Sequence, residues 1–244
     1  MKIDPSSSKD LSVQIAQAIR DAIISGSLRV DERLPSETEL SEKFAVSRPT
    51  VREALKRLAA QSLIRTQRGA SGGAFVNRLT YEGAYGQQIT TSTLLLSMNA
   101  VSFETACEAR YALERACAPI AAQRRKEEQL GKMREQIARQ TAQALSDEEF
   151  CASDVAFHRA LVDAACNPVL SYHLAGAVEA MQPLMNMITF TARSRIKIVA
   201  LHHNIADALE AQDATMVDRD LQELHRYTVE LAADIIAQKT RSSA

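Results

Sequence analysis

Along the first 25 residues Leu11, Ile15, Ala18, Ile19, Ala22 and Ile23 recur at intervals of three and four, which predicts a helix from about Lys9 to Ser25. Gly26 is placed to end it. Ser27 to Pro35 reads as a connector. Ser36, with Glu39 three residues on, then has the form of a capping box, and the short helix from Glu37 carries Leu40 and Phe44 on one face. After a turn at Ala45-Val46-Ser47, a second helix is expected from about Arg48 to Ala60, with Pro49 in its first turn, where a missing N–H is harmless. Val51, Leu55 and Leu58 form its apolar stripe, and Arg48, Arg52 and Lys56, spaced by four, form a basic stripe elsewhere. The stretches from Ser62 to Gln67 and from Ala74 to Val76 read as short strands on either side of Arg68-Gly69-Ala70-Ser71-Gly72-Gly73, a β-hairpin. From Tyr81 onward the period is helical throughout, with helices at about 81–97, 102–124, 127–144, 147–165, 169–190, 192–211 and 213–239. Asn99, Asn167-Pro168 and Gln212-Asp213 break the pattern, and Pro183, inside a helical run, should kink it.

The expected fold is therefore mainly α, in two domains. Residues 1–78 form a winged helix-turn-helix, and residues 79–244 an all-α antiparallel helix bundle. The length of 244 residues suits about two domains. Aromatics make up 5%, Trp is absent, and Gly and Pro are scarce, which argues against a sandwich or barrel. No run approaches the ~20 apolar residues of a membrane span. Residues 1–10 are polar, with no apolar core of a leader peptide, so a cytoplasmic location is expected.

Charge changes the picture once it is divided. The net charge of −1 taken whole argues against a nucleic-acid partner. Yet residues 1–78 hold 13 basic and 9 acidic side chains, and residues 79–244 hold 16 and 21. From Lys43 to Arg68 there are seven basic residues and one acid, Glu53. Such asymmetry points to a nucleic-acid-binding module joined to something else. A recognition helix needs one face to dock on its domain and another to offer guanidinium groups to guanine N7/O6 or to phosphate, and the Arg48–Arg52–Lys56 stripe supplies them. Thr50 adds a hydroxyl and a methyl. Three of the eight glycines sit in the hairpin loop, where they let the backbone approach a phosphate or groove wall.

The chemistry of the second half lies in its histidines, since all five His residues fall there. Asp154 and His158, four apart, project from one helix face. His202 sits where its helix would otherwise place an apolar residue, and His225 lies on the last helix. One carboxylate and three imidazoles from three helices suit a divalent metal, Zn first and Ni or Mn after it, with positions open for a ligand. The alternative for each is an ordinary surface or core side chain. Cys107, Cys117, Cys151 and Cys166 lie far apart and read as small buried hydrophobes. Met181, Met185 and Met187 read as core, and His173 as surface or pocket edge. No phosphate-binding glycine pattern or nucleophile elbow occurs.

Leu34-Pro35-Ser36-Glu37-x-Glu39-Leu40, Val46-Ser47-Arg48-x-Thr50-Val51-Arg52-Glu53-Ala54-Leu55, and Arg68-Gly69…Gly73-Ala74-Phe75-Val76, in this order over about 70 residues, resemble the GntR family of bacterial transcription regulators. The resemblance implies DNA contacts at Arg48, Thr50 and Arg52 in the major groove and at Arg68 and Gly69 on the wing. Thr38 stands where many members carry a basic residue, and the wing tip is longer than their commonest pattern. Glu108-x-Arg110-x-x-x-Glu114, Asp154-x-x-Phe157-His158, Asn167-Pro168-x-Leu170, His202…Asp213 and His225 resemble the FCD ligand-binding domain of the FadR branch. That resemblance implies a divalent metal on Asp154, His158, His202 and His225, and a small organic acid facing Arg110 with Asn167 beside the pocket. His203 competes with His202, and the Asp213–His225 stretch is one residue longer than usual. The implied protein is a ligand-responsive regulator, a repressor of a catabolic operon. It binds a pseudo-palindromic double-stranded DNA operator as a homodimer, with no membrane partner and no catalytic residue. The alternatives are the same regulator with a purely dimerising bundle, and a metal-dependent enzyme.

Overall fold

The computed structural model describes residues 3–4, 10–69, 72–98, 101–142, 145–181 and 194–242. The kink expected at Pro183, the residues Met185 and Met187, the breaker Asn99 and the wing-tip pair Ala70-Ser71 lie outside the described residues. The chain divides into two compact units, Met1–Thr80 and Tyr81–Ala244.

In the first unit α1 (Leu11–Ile24) begins at Asp10, whose carboxylate accepts from the Ser12 N–H. It ends as Gly26 turns to φ +75°, which lets the Leu28 N–H reach the Ala22 carbonyl. The helix α2 (Glu37–Phe44) opens with the capping box of Ser36 and Glu39 and stops at Ala45, in the left-handed region. Ser47 caps α3 (Arg48–Ala60), and Pro49 sits in its first turn. Ile15, Ile19, Leu40, Phe44, Val51, Leu58, Ile64 and Val76 close one core among these elements. The docking face of α3 differs from its expected stripe: Ala54 is fully buried with Val51 and Leu58, and Leu55 packs only partly against the cluster.

The wing is the antiparallel pair β1 (Ile64–Gln67) and β2 (Gly73–Val76), with Ile64 opposite Val76 and Gln67 opposite Gly73. The connector before α2 does more than connect. The Asp31 and Leu34 N–H groups donate to the Val76 and Ala74 carbonyls, and Val76 N–H donates back to Glu32, so residues 31–34 cover the far edge of β2.

The second unit is a helix bundle of α4 (Tyr81–Met98), α5 (Phe103–Arg124), α6 (Glu127–Gln140), α7 (Asp147–Asp163), α8 (Pro168–Ala180), α9 (Arg195–Glu210) and α10 (Ala214–Ser242). The helix α5 packs against α7, α8 and α10, α6 pairs with α7 and α9, and α4 lies on α8. Ser102, Ser146 and Asn167 cap α5, α7 and α8 with their side chains. Met181 is buried, while His173 is exposed. Cys107, Cys117 and Cys151 are buried as expected, but Cys166 is exposed, because it lies past the end of α7 at φ +47°, where the chain reverses. Among the described residues no helix is long and apolar enough to cross a membrane.

Candidate functional site

Two groups of side chains carry chemistry. The first is the outer surface of α3 and the wing. Arg48, Arg52 and Lys56 are exposed on α3, opposite the buried Val51, Ala54 and Leu58. The Ser47 hydroxyl accepts from the Thr50 N–H and lies 2.8 Å from its hydroxyl, which fixes the start of the helix and the Thr50 rotamer together. Arg52 is not loose. Its Nε and Nη2 donate to the two carboxylate oxygens of Glu37 at 3.1 and 2.7 Å, a bidentate pair from the first turn of α2. The hydrogen bond from Arg52, the largest influence, and its charge hold the Glu37 carboxyl below its ordinary value. The pair therefore holds the guanidinium on the outer surface of the first unit. Glu37 belongs to the recognised Leu34–Leu40 motif, but nothing in its spacing from Arg52 announces the contact.

On the wing Arg68 and Gly69 are exposed. Gly69 takes φ +107° and its carbonyl accepts from the Gly72 N–H, which folds the loop tightly. A Cβ on Gly72 would run into the Gln67 carbonyl, so the tip tolerates only glycine there.

The second group lies inside the bundle. One turn of α7 separates Asp154 from His158, and α9 brings His202 to face them. Each of the three residues offers a ligand atom within 4.8 Å of the others, and all three are buried. His202 Nε2 stands 3.5 Å from Asp154 Oδ1. The adjacent His203 is exposed and lies outside the cluster. Behind the cluster each imidazole is anchored. His158 Nδ1 lies 2.7 Å from Glu114 Oε2 on α5, and His202 Nδ1 lies 2.8 Å from Gln140 Oε1 at the end of α6. Phe157 stacks on the His202 ring at 3.9 Å between centroids.

Glu114 is the pivot of this group. It also accepts from Arg110 Nε at 2.9 Å, with both side chains buried. Burial alone would push the Glu114 carboxyl up. The charges of His158 and Arg110, and the hydrogen bonds from both, outweigh it and bring it down to about 2. Glu114 is thus ionised and can only accept, so His158 Nδ1 donates to it. Burial is the largest influence on His202 and takes it down to about 3 against the pull of Asp154, so its ring is neutral.

Both Nε2 atoms are buried with no hydrogen-bond partner. The two unpartnered Nε2 atoms and the Asp154 carboxylate lie together in the interior, an arrangement that a divalent cation would suit. The anchored Nδ1 atoms are the supporting contacts that histidine ligands require. The three residues fit a metal of the imidazole-and-carboxylate class.

Three of the expected site residues, one metal and two effector candidates, lie outside this cluster. His225 is not brought to it. On α10 the inward positions are Val217, Leu221, Leu224 and Thr228, and His225 is one residue further round. Its ring stacks instead on Tyr111, 4.9 Å between centroids, and Tyr111 in turn sets its edge against His158. Asn167 is engaged as the cap of α8, its Oδ1 accepting from Val169 and Leu170. Arg110 is held by Glu114, the ion pair that their spacing of four allows. The anchors Glu114 on His158 and Gln140 on His202 come from helices distant in sequence. Only Glu114 had a signal, through its place in the Glu108–Glu114 motif.

The comparisons with known proteins agree in kind. The model for "Bacterial regulatory proteins, gntR family" matches residues 11–76, and the FCD domain model matches residues 105–227. The Bacillus subtilis HTH-type transcriptional regulator YcbG is 31% identical over 87% of this chain and 86% of its own. The HTH-type transcriptional repressor NanR of Cronobacter sakazakii is 28% identical over 98% and 91%. The Streptococcus agalactiae GntR structure shares the fold, with a TM-score of 0.62 at 19% identity over 91% of this chain and 99% of that one. The matched domains and relatives are transcription regulators, not enzymes. The chain belongs to the GntR family of bacterial regulatory proteins and is a DNA-binding transcription regulator, its gntR-type helix-turn-helix followed by an FCD domain.

Proposed function

We propose that this regulator is a homodimeric repressor of a catabolic operon, released or engaged by a small organic acid that it senses through a metal held by Asp154, His158 and His202. The observation that carries the sensing half is the buried pair of Nε2 atoms beside Asp154, each imidazole anchored from behind. The bound ion would supply a Lewis acid for the carboxylate of the effector, and the nearby Arg110 guanidinium adds a fixed positive charge. The repressor assignment draws support from NanR, which is named a transcriptional repressor.

A dimer offers two copies of α3 and the wing to a pseudo-palindromic operator, with Arg48, Thr50 and Arg52 in the major groove and Arg68 and Gly69 at the wing. The effector shifts DNA binding only by the difference in its affinity for the bound and released arrangements of the dimer. A thermal-shift panel of organic acids on metal-loaded and EDTA-treated protein tests this reading. An acid that stabilises only the loaded protein supports it, and a panel with no stabilising acid leaves the bundle as a dimerisation module.

For the DNA half, Arg52→Ala should weaken binding to enriched operator fragments by roughly 5- to 150-fold, the value of about 1–3 kcal/mol for one bidentate base contact. A gel-shift titration at fixed salt reads this, and unchanged affinity would remove Arg52 from the reading surface.

A further inference from the structure

Away from the metal-type cluster lies a groove of about 970 Å³ lined by α5, α9 and α10. None of Asp154, His158, His202 or Arg110 lines it. Its charge is unbalanced: five acidic side chains line it against three arginines. Those arginines are already committed. Arg115 is paired with Asp218, Arg219 with Asp220 Oδ1, and Arg226 with Glu223 and Glu230. Glu104 and Glu108, exposed one turn apart on α5, form no ion pair among the described residues.

Asp220 is the decisive member. It is 3% exposed, Arg219 occupies only its Oδ1, and its Oδ2 has no hydrogen-bond partner. A buried carboxylate oxygen left without a donor is costly, so one that lines a cavity calls for a donor from a ligand. Glu108 also lies near enough to His225 to act on its charge, which places that imidazole on the same wall.

We propose that this groove is a second ligand site, for a small organic cation bearing a primary ammonium group. The ammonium donates to Asp220 Oδ2, and Glu108 and Glu104 provide the surrounding negative field. An ammonium has three donors and no acceptor, which matches the open carboxylate oxygens of Asp220, Glu104 and Glu108 in the lining. A metal ion is the poorer fit, because among the described residues three ligand atoms converge only at Asp154, His158 and His202. The volume also suits an organic molecule rather than an ion. The Tyr111 ring stands between the groove and the cluster, stacked on His225 on one side and edge-on to His158 on the other, so the two sites share a wall.

Calorimetric titration of the full chain with putrescine, at constant ionic strength, tests the site. Saturable binding is expected, with magnesium chloride at matched ionic strength giving none. Asp220→Asn keeps the shape but removes the charge, and should weaken putrescine by about ten-fold or more, as expected for a hydrogen bond to a charged group. Glu108→Gln, on the exposed face of α5, should weaken it less and leave folding untouched, so the proposal stays testable if Asp220→Asn fails to fold. The proposal is overturned if putrescine produces no more heat than the salt control, or if a folded Asp220→Asn and Glu108→Gln both bind it as the wild type does.

Discussion

Glu114→Gln should cost the protein about 3–5 kcal/mol of stability, the range for removing one partner of a buried ion pair. The wild-type carboxylate, fully buried, receives two donors at once, Arg110 Nε on one oxygen and His158 Nδ1 on the other. An amide has a single oxygen. Whichever donor it satisfies, its NH₂ group faces the other, and the Arg110 charge loses its counterion. At about 2–4 °C per kcal/mol for a chain of this size, the melting temperature should fall by roughly 10 °C. Replacing both partners, in Arg110→Met with Glu114→Met, should recover much of that loss, because apolar side chains of similar volume tolerate the same burial. The double variant should not recover metal binding, since His158 would have no acceptor for Nδ1. Urea denaturation of the three proteins measures the first claim and metal content the second. A loss below about 1 kcal/mol for Glu114→Gln would show that the Arg110–Glu114–His158 chain is not the buried charge network described.

That network also marks where sequence reading stops. Interactions closed within one helical turn were legible before any coordinates: the Ser36–Glu39 capping box, Pro49 in the first turn of α3, Asn167-Pro168 at the head of α8, and Asp154 and His158 on one face of α7. Each depends on a spacing of a few residues, which the chain displays directly. Contacts between distant segments were not. Glu37 reaches Arg52 across 15 residues, Glu114 reaches His158 across 44, and Gln140 reaches His202 across 62. The pairing of residues 31–34 along β2 escaped for the same reason, because no periodicity distinguishes a connector that runs beside a strand.

Another departure is rotational. Successive residues on a helix are 100° apart, so expecting Leu55 rather than Ala54 on the buried face of α3 is a one-residue slip in a pattern only a few turns long. Between His202 and His203 the apolar pattern of Ile205, Ala208 and Leu209 places His202 on the inner face, and His202 is the buried one.

Removing metal from protein purified in its presence should lower the melting temperature, and His202→Ala should abolish both the metal and the response to its removal. The cluster joins α7 to α9 through three potential ligand groups within reach of one ion: His158 Nε2, His202 Nε2 and the Asp154 carboxylate. A cation that binds the folded protein alone stabilises it by mass action, about 4 kcal/mol when free metal exceeds the dissociation constant a thousand-fold. For this chain that is roughly 10 °C. EDTA should reverse the gain in the wild type and leave His202→Ala unmoved, because a pair of ligands on α7 cannot span to α9. His203→Ala, one residue away on the exposed face, should behave as the wild type and controls for the substitution itself. Elemental analysis gives the stoichiometry and a thermal melt gives the linkage. Wild-type protein that purifies with far less than one equivalent of metal, and melts identically with and without EDTA, would leave the unpartnered Nε2 atoms as a costly feature of the core and remove the metal from the sensing mechanism.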